Sequence, residues 1–443
     1  METKEFLNTK LVNYASYDNL RKIASCIDGF KNAGRKVIYT VLNNSSKLKD
    51  YKKVLQLSNM CADYADYLHG SLDGVVVTLA QDFAGANNIP LLDKSGNFGT
   101  RSVQEASAPR YIFAKGSKNL TKLFKDEDDS ILEKQTFEGN KIEPRFYLPS
   151  LPMLLVNGSE GVSSGFAQKI IGRNPANLKK YLLKKLQGTN PNQNTVNELL
   201  KPYYTGFNGT FEKDTETPNK WIVKGEVKLD KGNQYLITEI PYQYDLKQYL
   251  NILDDLQDNN KIIRYVDESD GENKLQFRVF VPRSLDINTN MIEYLKLSKP
   301  ITENFTCIDE NNKIIIFNNA QELFDHYIEI KKVYLEKRKL SLINKYVKEL
   351  DILKSKLEFI ARYIGGSLII NKKSKQEIID QLKTFSNIKE LDNYSYLLNM
   401  PIHSLTKEKI QDLVAQIKDL EQILTVTKNA SVENMWQDDL NKI

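Results

Sequence analysis

Apolar side chains recur with a coiled-coil rhythm in the last third of the chain. The spacing from Leu323 to Tyr334 is 4-3-4, and the rhythm resumes from Tyr346 to Ile364. A register shift in residues 337–344 accounts for the interruption. A second heptad-like run, 410–424, follows about fifty residues later. The pattern predicts an antiparallel helical arm with a small globular tip, and a simple helix pair packed on its own domain is the alternative.

Earlier regions have other patterns. Residues 144–318 contain short apolar runs bounded by Gly, Asn and Pro, and strands are predicted at 221–223, 234–240 and 275–281. Residues up to about 140 favour helices with short turns. One helix carries Val37 and Val41, with Asp28 as its expected cap. Residues 71–83 form a second helix candidate, although three consecutive valines there also favour a strand.

These changes of pattern divide the chain into regions 1–140, 141–318 and 319–443, so the predicted fold class is α+β and multidomain. The 443 residues, 41% of them hydrophobic, suffice for about three ordinary cores. Three dispersed cysteines fit a reducing compartment, and the three histidines are too far apart for a zinc motif. No 18-residue apolar run or signal peptide is present, so we expect a soluble, cytoplasmic protein without a membrane contact.

The net charge of +5 does not by itself indicate a nucleic-acid partner, and its distribution is more informative. Residues 21–60 hold nine basic and two acidic side chains. A solvated helix face and a phosphate-binding surface both fit that cluster. Residues 126–143 are acidic, and we interpret them as a surface linker rather than a metal site.

Ala108-Pro109-Arg110-Tyr111-Ile112 is the most informative segment, because it puts a phenol beside a fixed positive charge. A free phenol, with a pKa of about 10, is a poor nucleophile. An adjacent Arg makes it useful against a phosphodiester, since guanidinium binds phosphate and stabilises developing charge. An Arg-Tyr pair alone is more often structural, so its surroundings decide.

Those surroundings resemble the breakage-reunion part of type IIA DNA topoisomerases over almost the whole chain. Five motifs lie in the family's order, and the tyrosine segment 107–113 has the eukaryotic style. The first is Asp28-Gly29-Phe30-Lys31 together with residues 34–39, and the second is Leu79-Ala80-Gln81 together with residues 87–92. The third is residues 96–101, just before the tyrosine motif; the fourth is Leu151 to Val162; and the fifth is Tyr396 to Thr406. Each is weak alone, whereas five in order are strong.

The resemblance implies a winged-helix DNA-binding domain at 1–140, an α/β tower domain at 141–318, and a coiled-coil arm with a C-gate dimerisation tip at 319–443. It implies that Tyr111 forms a transient 5′-phosphotyrosyl link, assisted by Arg110, Arg21 and His69. The family shows paired histidines before the glycine, whereas this chain has Tyr67-Leu68-His69 and a spacing two residues shorter. Candidate DNA contacts are Lys31, Arg35, Lys36, Arg101, Lys115 and the wedge residue Val162; a tower-core valine is the alternative for the last.

The sequence lacks a phosphate-binding glycine loop and an acidic magnesium cluster. We therefore expect Mg²⁺ and ATP to be bound by a separate ATPase/Toprim subunit, with double-stranded DNA and a second copy of this chain as further partners. The short chain is similar to the split form of the enzyme in T4-type bacteriophages. Since it ends just after the second arm helix, we expect relaxation and decatenation without gyrase-type supercoiling.

Two non-enzymatic hypotheses remain open at this point. One is a DNA-bending architectural dimer, which needs the basic region, Val162 and the arm but gives Tyr111 no task. The other is an assembly scaffold with a relic tyrosine. Dependence of strand passage on Tyr111 separates both from the enzyme.

Overall fold

The computed structural model describes residues 3–44 and 49–443, and these combine α and β structure as predicted. They divide into two compact units. The first unit runs up to Lys331 and includes Gln437–Ile443, and the second is Lys332–Trp436. In the described ranges, no helix is both long and apolar enough to traverse a bilayer.

The first part of the first unit is mainly helical. It begins with a continuous helical segment made of α1 (Thr3–Phe6), a π-helical turn (Leu7–Leu11) and α2 (Val12–Lys22). The next elements are α3 (Asn32–Asn43), β1 (Lys52–Lys53), α4 (Val54–Tyr64), α5 (Asp73–Ala80), β2 (Leu92–Ser95), β3 (Phe113–Gly116), α6 (Lys118–Leu123), β4 (Lys134–Phe137) and β5 (Asn140–Pro144). The prediction of a helix within 71–83 is confirmed, because burial of Val76 and Ala80 on one helical face outweighs β-branched propensity.

A three-stranded antiparallel sheet with strand order β1-β3-β2 packs beside these helices. Its central strand, β3, pairs Ala114 with Lys52 on one side and Gly116 with Leu92 on the other. The segment Ala108–Ile112 leads directly into this central strand, so the sheet fixes the position of Tyr111.

The expectation that Asp28 caps α3 is wrong. The residue before α3 is Lys31, and it makes no side-chain cap bond. The Asp28 carboxylate is instead buried, and it accepts hydrogen bonds from the backbone N–H groups of Phe30 (3.0 Å) and Tyr147 (2.9 Å) and from the Arg35 guanidinium (2.8 and 3.1 Å). Because a buried carboxylate needs several donors, this residue has a tertiary role rather than a capping role.

The acidic stretch 126–143 is not merely a surface linker, contrary to expectation. Its strands β4 and β5 form a hairpin, and Asp128 and Glu143 are buried. Glu143 accepts from Lys36 Nζ at 2.9 Å, and Asp128 lies 3.5 Å from Lys331 Nζ. Two of the acidic side chains therefore neutralise buried lysines.

The second part of the first unit contains most of the strands. Its elements are α7 (Met153–Asn157), β6 (Ser159–Val162), β7 (Ala167–Ile170), α8 (Pro175–Leu186), α9 (Gln193–Leu199), β8 (Thr210–Lys213), β9 (Lys220–Lys224), β10 (Glu226–Lys231), β11 (Gln234–Glu239), α10 (Leu246–Asp258), β12 (Arg264–Asp267), β13 (Phe277–Phe280), α11 (Met291–Tyr294), β14 (Ser298–Thr302), β15 (Phe305–Ile308) and β16 (Ile314–Phe317). The three predicted strands correspond to β9, β11 and β13.

An antiparallel sheet of order β10-β11-β13-β12 forms the main layer of this part, and α10 covers one face. Tyr249 and Leu253 of α10 pack against Ile237, Phe277 and Val279 of the sheet. Asp245 and Gln248 form a capping box that starts the helix at a defined residue. The strands thus alternate between a buried face and a solvated face.

The second unit is built on two long helices. The helix α12 (Ala320–Ile364) enters it without interruption, so the predicted register shift needs no break in the helix. The remaining elements are α13 (Lys375–Lys383), α14 (Ser395–Leu398), α15 (Lys407–Asn429) and α16 (Val432–Asn441), of which α16 continues into the first unit's terminal segment.

Contacts within the second unit show that α12 and α15 are antiparallel. Lys339 Nζ donates to the Ala430 carbonyl at 2.7 Å, and Lys354 lies 2.6 Å from Glu421. Leu350, Ile417 and Leu424 form the buried seam between the helices. The residues between these helices form a separate small core, in which Ile379, Leu382 and Leu397 cluster with Ile360 of α12.

We predict that Arg35→Met destabilises the first unit by about 3–5 kcal/mol, because it leaves the buried Asp28 charge without its cation. Chemical denaturation of the protein, followed in the transition of that unit, measures the loss. Arg145→Met is the control, since its pair with Glu133 is partly exposed and worth only about 0–1 kcal/mol. Equal losses for the two variants would contradict a dominant role for the Asp28 ion pair.

Candidate functional site

Tyr111 lies in an exposed turn whose backbone is fixed on both sides. Its N–H donates to the Ala108 carbonyl at 2.9 Å, while Val54 and Leu55 at the start of α4 donate to the carbonyls of Ile112 (2.9 Å) and Pro109 (3.2 Å). The Ile112 side chain is buried, and the Tyr111 side chain points outward with 64% of its surface exposed. The phenol is therefore presented to solvent from a rigid support.

The Arg110 guanidinium lies over the Tyr111 ring, with its central carbon 4.7 Å from the ring centroid. This cation–π contact holds the two side chains together without occupying the guanidinium N–H groups. Within the described ranges, Arg110 has no carboxylate partner. The pair thus offers a hydroxyl and a bidentate donor to the same incoming group.

Arg21 and His69 meet in a second cluster. Arg21, in the last turn of α2, donates from Nη1 to His69 Nδ1 at 3.2 Å. His69 lies in the loop between α4 and α5, which Ser58 anchors by accepting a hydrogen bond from the Leu72 N–H at 3.0 Å. The Tyr17 hydroxyl contacts His69 Nε2. The predicted pairing of Arg21 with His69 is therefore present in space, despite the altered histidine spacing.

Val162 occupies the exposed end of the β6–β7 hairpin, and the residue is 72% exposed. The hairpin is attached to α2: Ser164 donates to Asp18 at 2.9 Å, and Ser163 donates to Asn19 at 2.6 Å. A tower-core position for Val162 is thereby excluded. Its exposure suits a residue that wedges between bases.

A cavity of about 360 Å³ is lined by Ser159 and Glu160 of the hairpin and by Arg21 of α2. Lys31 borders it and donates from Nζ to the Glu160 carbonyl at 2.6 Å. Burial lowers the pKa of Lys31, although Glu160 acts in the opposite direction. Lys115 extends from β3 over the Tyr51 ring, with its Nζ 4.6 Å from the centroid.

Arg35, Lys36 and Arg101 are not placed as the sequence interpretation expected. All three are buried and paired within the chain. Arg35 binds Asp28, and Lys36 binds Glu143. Arg101 binds Glu239 and donates to the carbonyls of Ile240 (3.0 Å) and Pro241 (3.3 Å). Since their donors face interior acceptors, we assign these residues to the frame and not to phosphate contact.

Sequence reasoning missed Tyr17 and the close approach at Gly161. Tyr17 precedes Arg21 by four residues, a spacing that puts both on one helix face. A Cβ at Gly161 would lie 2.1 Å from the Lys22 carbonyl oxygen, so the hairpin can approach α2 only with glycine there. In the part of the chain that the structure describes, no group of His, Cys, Asp or Glu side chains is arranged to hold a metal ion.

A family model for the A-type subunits of DNA gyrase and topoisomerase IV matches residues 21–441. The chain therefore belongs to this family of type II DNA topoisomerase subunits.

Individual relatives refine this assignment. The chain is 30% identical over 464 residues to the DNA topoisomerase medium subunit of Enterobacteria phage T4, covering all of this chain and 98% of that protein. It is 31% identical over 488 residues to DNA topoisomerase 2 of Plasmodium falciparum, covering 99% of this chain. It is also 32% identical to the mitochondrial DNA topoisomerase 2 of Dictyostelium discoideum. The chain spans about a third of the length of each of these two enzymes.

The fold is similar to a solved structure of the Plasmodium falciparum topoisomerase II DNA-binding, cleavage and re-ligation domain. The TM-score is 0.88 at 30% identity, with 99% of this chain and 63% of that chain covered. The mixed α and β architecture is therefore that of a topoisomerase II cleavage domain.

We predict that Gly161→Ala destabilises the first unit by about 1–3 kcal/mol, because the new methyl group overpacks the contact with the Lys22 carbonyl. Gly74→Ala is the control. Its new methyl group meets no atom within 4 Å, and alanine in a helix gains about 0.5–1 kcal/mol over glycine. Thermal unfolding of both variants measures the difference, and an unchanged midpoint for Gly161→Ala would show that the hairpin adjusts freely.

Proposed function

We propose that the chain is the DNA-cleaving and rejoining subunit of an ATP-dependent type II DNA topoisomerase that relaxes and decatenates DNA. The observation that carries this proposal is the exposed Tyr111 side chain with the Arg110 guanidinium over its ring, in a chain of the topoisomerase family. That guanidinium has no carboxylate partner among the described residues, so it can receive a phosphate.

The proposed reaction is an exchange of phosphodiester bonds. Tyr111 Oη attacks a backbone phosphorus, an O–P bond forms to the tyrosine, and the bond from phosphorus to the 3′ oxygen breaks. The phenolic proton is lost to solvent or a base, and the departing 3′ oxygen gains a proton. The 5′-phosphotyrosyl ester conserves the energy of the broken bond, so attack by the 3′ hydroxyl reseals the strand.

Basic side chains next to the reacting groups have separate tasks. Arg110 binds the scissile phosphate, since its N–H groups can form two parallel hydrogen bonds. Arg21 and His69 contact the reacting phosphate as a pair. Lys31 and Lys115 position neighbouring phosphates, which fixes the register of the duplex without reading its sequence.

The three regions fit this reaction. Residues 1–140 act as a winged-helix domain, with α5 as recognition helix and Tyr111 on the wing. Residues 141–318 act as a tower domain that supports DNA bent by the Val162 wedge. Residues 319–443 act as a coiled-coil arm whose tip forms the C-gate of a homodimer.

The remaining chemistry belongs to a partner. We assign Mg²⁺ and ATP to a separate ATPase/Toprim subunit, because the sequence has neither an acidic magnesium cluster nor a phosphate-binding glycine loop. The magnesium ion would stabilise charge on the phosphate. If the chain is encoded by a phage, the complex works in the host's bacterial cytoplasm.

We predict that Tyr111→Phe abolishes covalent protein–DNA adducts while leaving DNA affinity within about twofold, because only the nucleophilic oxygen is lost. Denaturant-trapped cleavage of plasmid with magnesium and the partner subunit measures the adduct. Tyr363→Phe, at another partly exposed tyrosine, is the control and retains cleavage.

Protein linked to 5′ ends in the wild type but not in Tyr111→Phe supports the enzyme. Tight binding and bending without any adduct in either protein would instead favour a DNA-bending architectural dimer.

We predict that Ile402→Glu weakens the homodimer by at least about tenfold, since a buried charge at an interface costs more than about 1.4 kcal/mol. Ile402 is 83% exposed in the single chain, and it lies beside Pro401 in the tip of the second unit. Sedimentation at micromolar concentration measures assembly. Val426→Glu, at an exposed position of α15, is the control, and a monomeric wild type would refute the proposed gate.

A further inference from the structure

One turn of α2 holds the His69 ring from two directions. Tyr17 and Arg21 are four residues apart on the same helix face. The Tyr17 hydroxyl contacts Nε2, and Arg21 Nη1 lies 3.2 Å from Nδ1. The Tyr17 ring lies beside the imidazole at a centroid distance of 5.6 Å, and the Arg21 guanidinium carbon is 5.6 Å from the Tyr17 ring centroid. The three side chains therefore form one contact network.

These contacts define where the imidazole carries its proton. A guanidinium has donors and no acceptor, so Arg21 must donate to Nδ1. Nδ1 must then present its lone pair, and the proton of the neutral ring lies on Nε2. The Tyr17 oxygen accepts that Nε2–H.

We propose that Tyr17 is a positioning residue for His69. Together with Arg21 it fixes the neutral Nε2–H tautomer, and its hydroxyl marks the place where a phosphate oxygen accepts the Nε2–H when DNA binds. This role for the reacting phosphate rests on the proposed function. The proposal adds Tyr17 to the pair of Arg21 and His69 predicted from sequence, and it assigns the imidazole proton to Nε2.

The surroundings of Tyr17 argue against a packing role. The side chain is 49% exposed, and Tyr14, one turn earlier on the same helix, is 60% exposed. The hydrogen-bond partner of the Tyr17 hydroxyl is the imidazole of His69, which is itself at the surface. Removing this oxygen should thus leave the fold intact while releasing His69. Tyr14→Phe provides a matched control on the same helix.

The first test uses the free protein and diethyl pyrocarbonate, which acylates an imidazole nitrogen through its lone pair. In the proposed arrangement Nδ1 is engaged by Arg21 and Nε2 carries the proton. His69 should then react several times more slowly than the exposed His403 in the same sample, as read by peptide mass spectrometry. Tyr17→Phe should raise the His69 rate severalfold, whereas Tyr14→Phe should not change it. Equal His69 rates in the wild type and Tyr17→Phe would overturn the proposal.

The second test is a double-mutant cycle on the rate of adduct formation, measured with DNA, magnesium and the partner subunit. Tyr17→Phe should slow cleavage by about threefold or more, the lower range for coupled neighbours, without changing DNA affinity. In a His69→Gln background the same change should have no further effect. Additive losses, or equal losses for Tyr14→Phe, would refute a role through His69.

The two tests also separate the positioning role from the proposed function. If the wild type forms no adduct, the proposed enzyme activity fails, and the acylation rates still decide whether Tyr17 fixes the His69 tautomer. If adducts depend on Tyr111 but both Tyr17 results are negative, the enzyme stands and the positioning role is lost.

Discussion

A single buried carboxylate, that of Asp28, connects the parts on which the site is built. It receives donors from its own turn, from Arg35 of α3 and from the Tyr147 backbone, so it joins the start of α3 to a segment 119 positions away. The next residue, Gly29, has a φ of +73°, and a Cβ there would lie 2.5 Å from the Leu154 nitrogen. Burying an ion is costly unless it is fully bonded. In this arrangement of the segments the buried charge is fully bonded.

The position of the basic side chains follows from this frame. Some basic side chains form ion pairs with interior carboxylates, as Lys36 does with Glu143. These basic side chains are not available to bind an incoming anion. Others remain at the surface, as Arg110 and Lys115 do over aromatic rings. Cation–π contact restricts their motion but leaves their N–H groups available. The structure thus contains buried cations paired with carboxylates, such as Lys36, and surface cations stacked on aromatic rings, such as Arg110.

Local pattern predicted the elements better than it predicted the partners. Apolar spacing identified α12 and α15, and short apolar runs bounded by Gly, Asn and Pro identified β9, β11 and β13, because both signals depend on near neighbours in sequence. By contrast, Arg35 and Lys36 looked like a phosphate-binding face. Their acceptors include Glu143, which is 107 positions from Lys36 and carries no periodic signal. The role of Tyr17 likewise depends on a tertiary contact, because the loop that carries His69 lies against α2 only in the folded chain.

Arg101 has a consequence for dissecting the chain. Its guanidinium extends from the loop before Tyr111 to carbonyls at residues 240 and 241, far beyond the end of the tyrosine-bearing region near residue 140. A fragment that ends at that boundary would lack the carbonyl acceptors of Arg101. The tyrosine loop would then lose these hydrogen bonds, and the guanidinium would be exposed. A fragment that keeps these hydrogen bonds must therefore extend past residue 241.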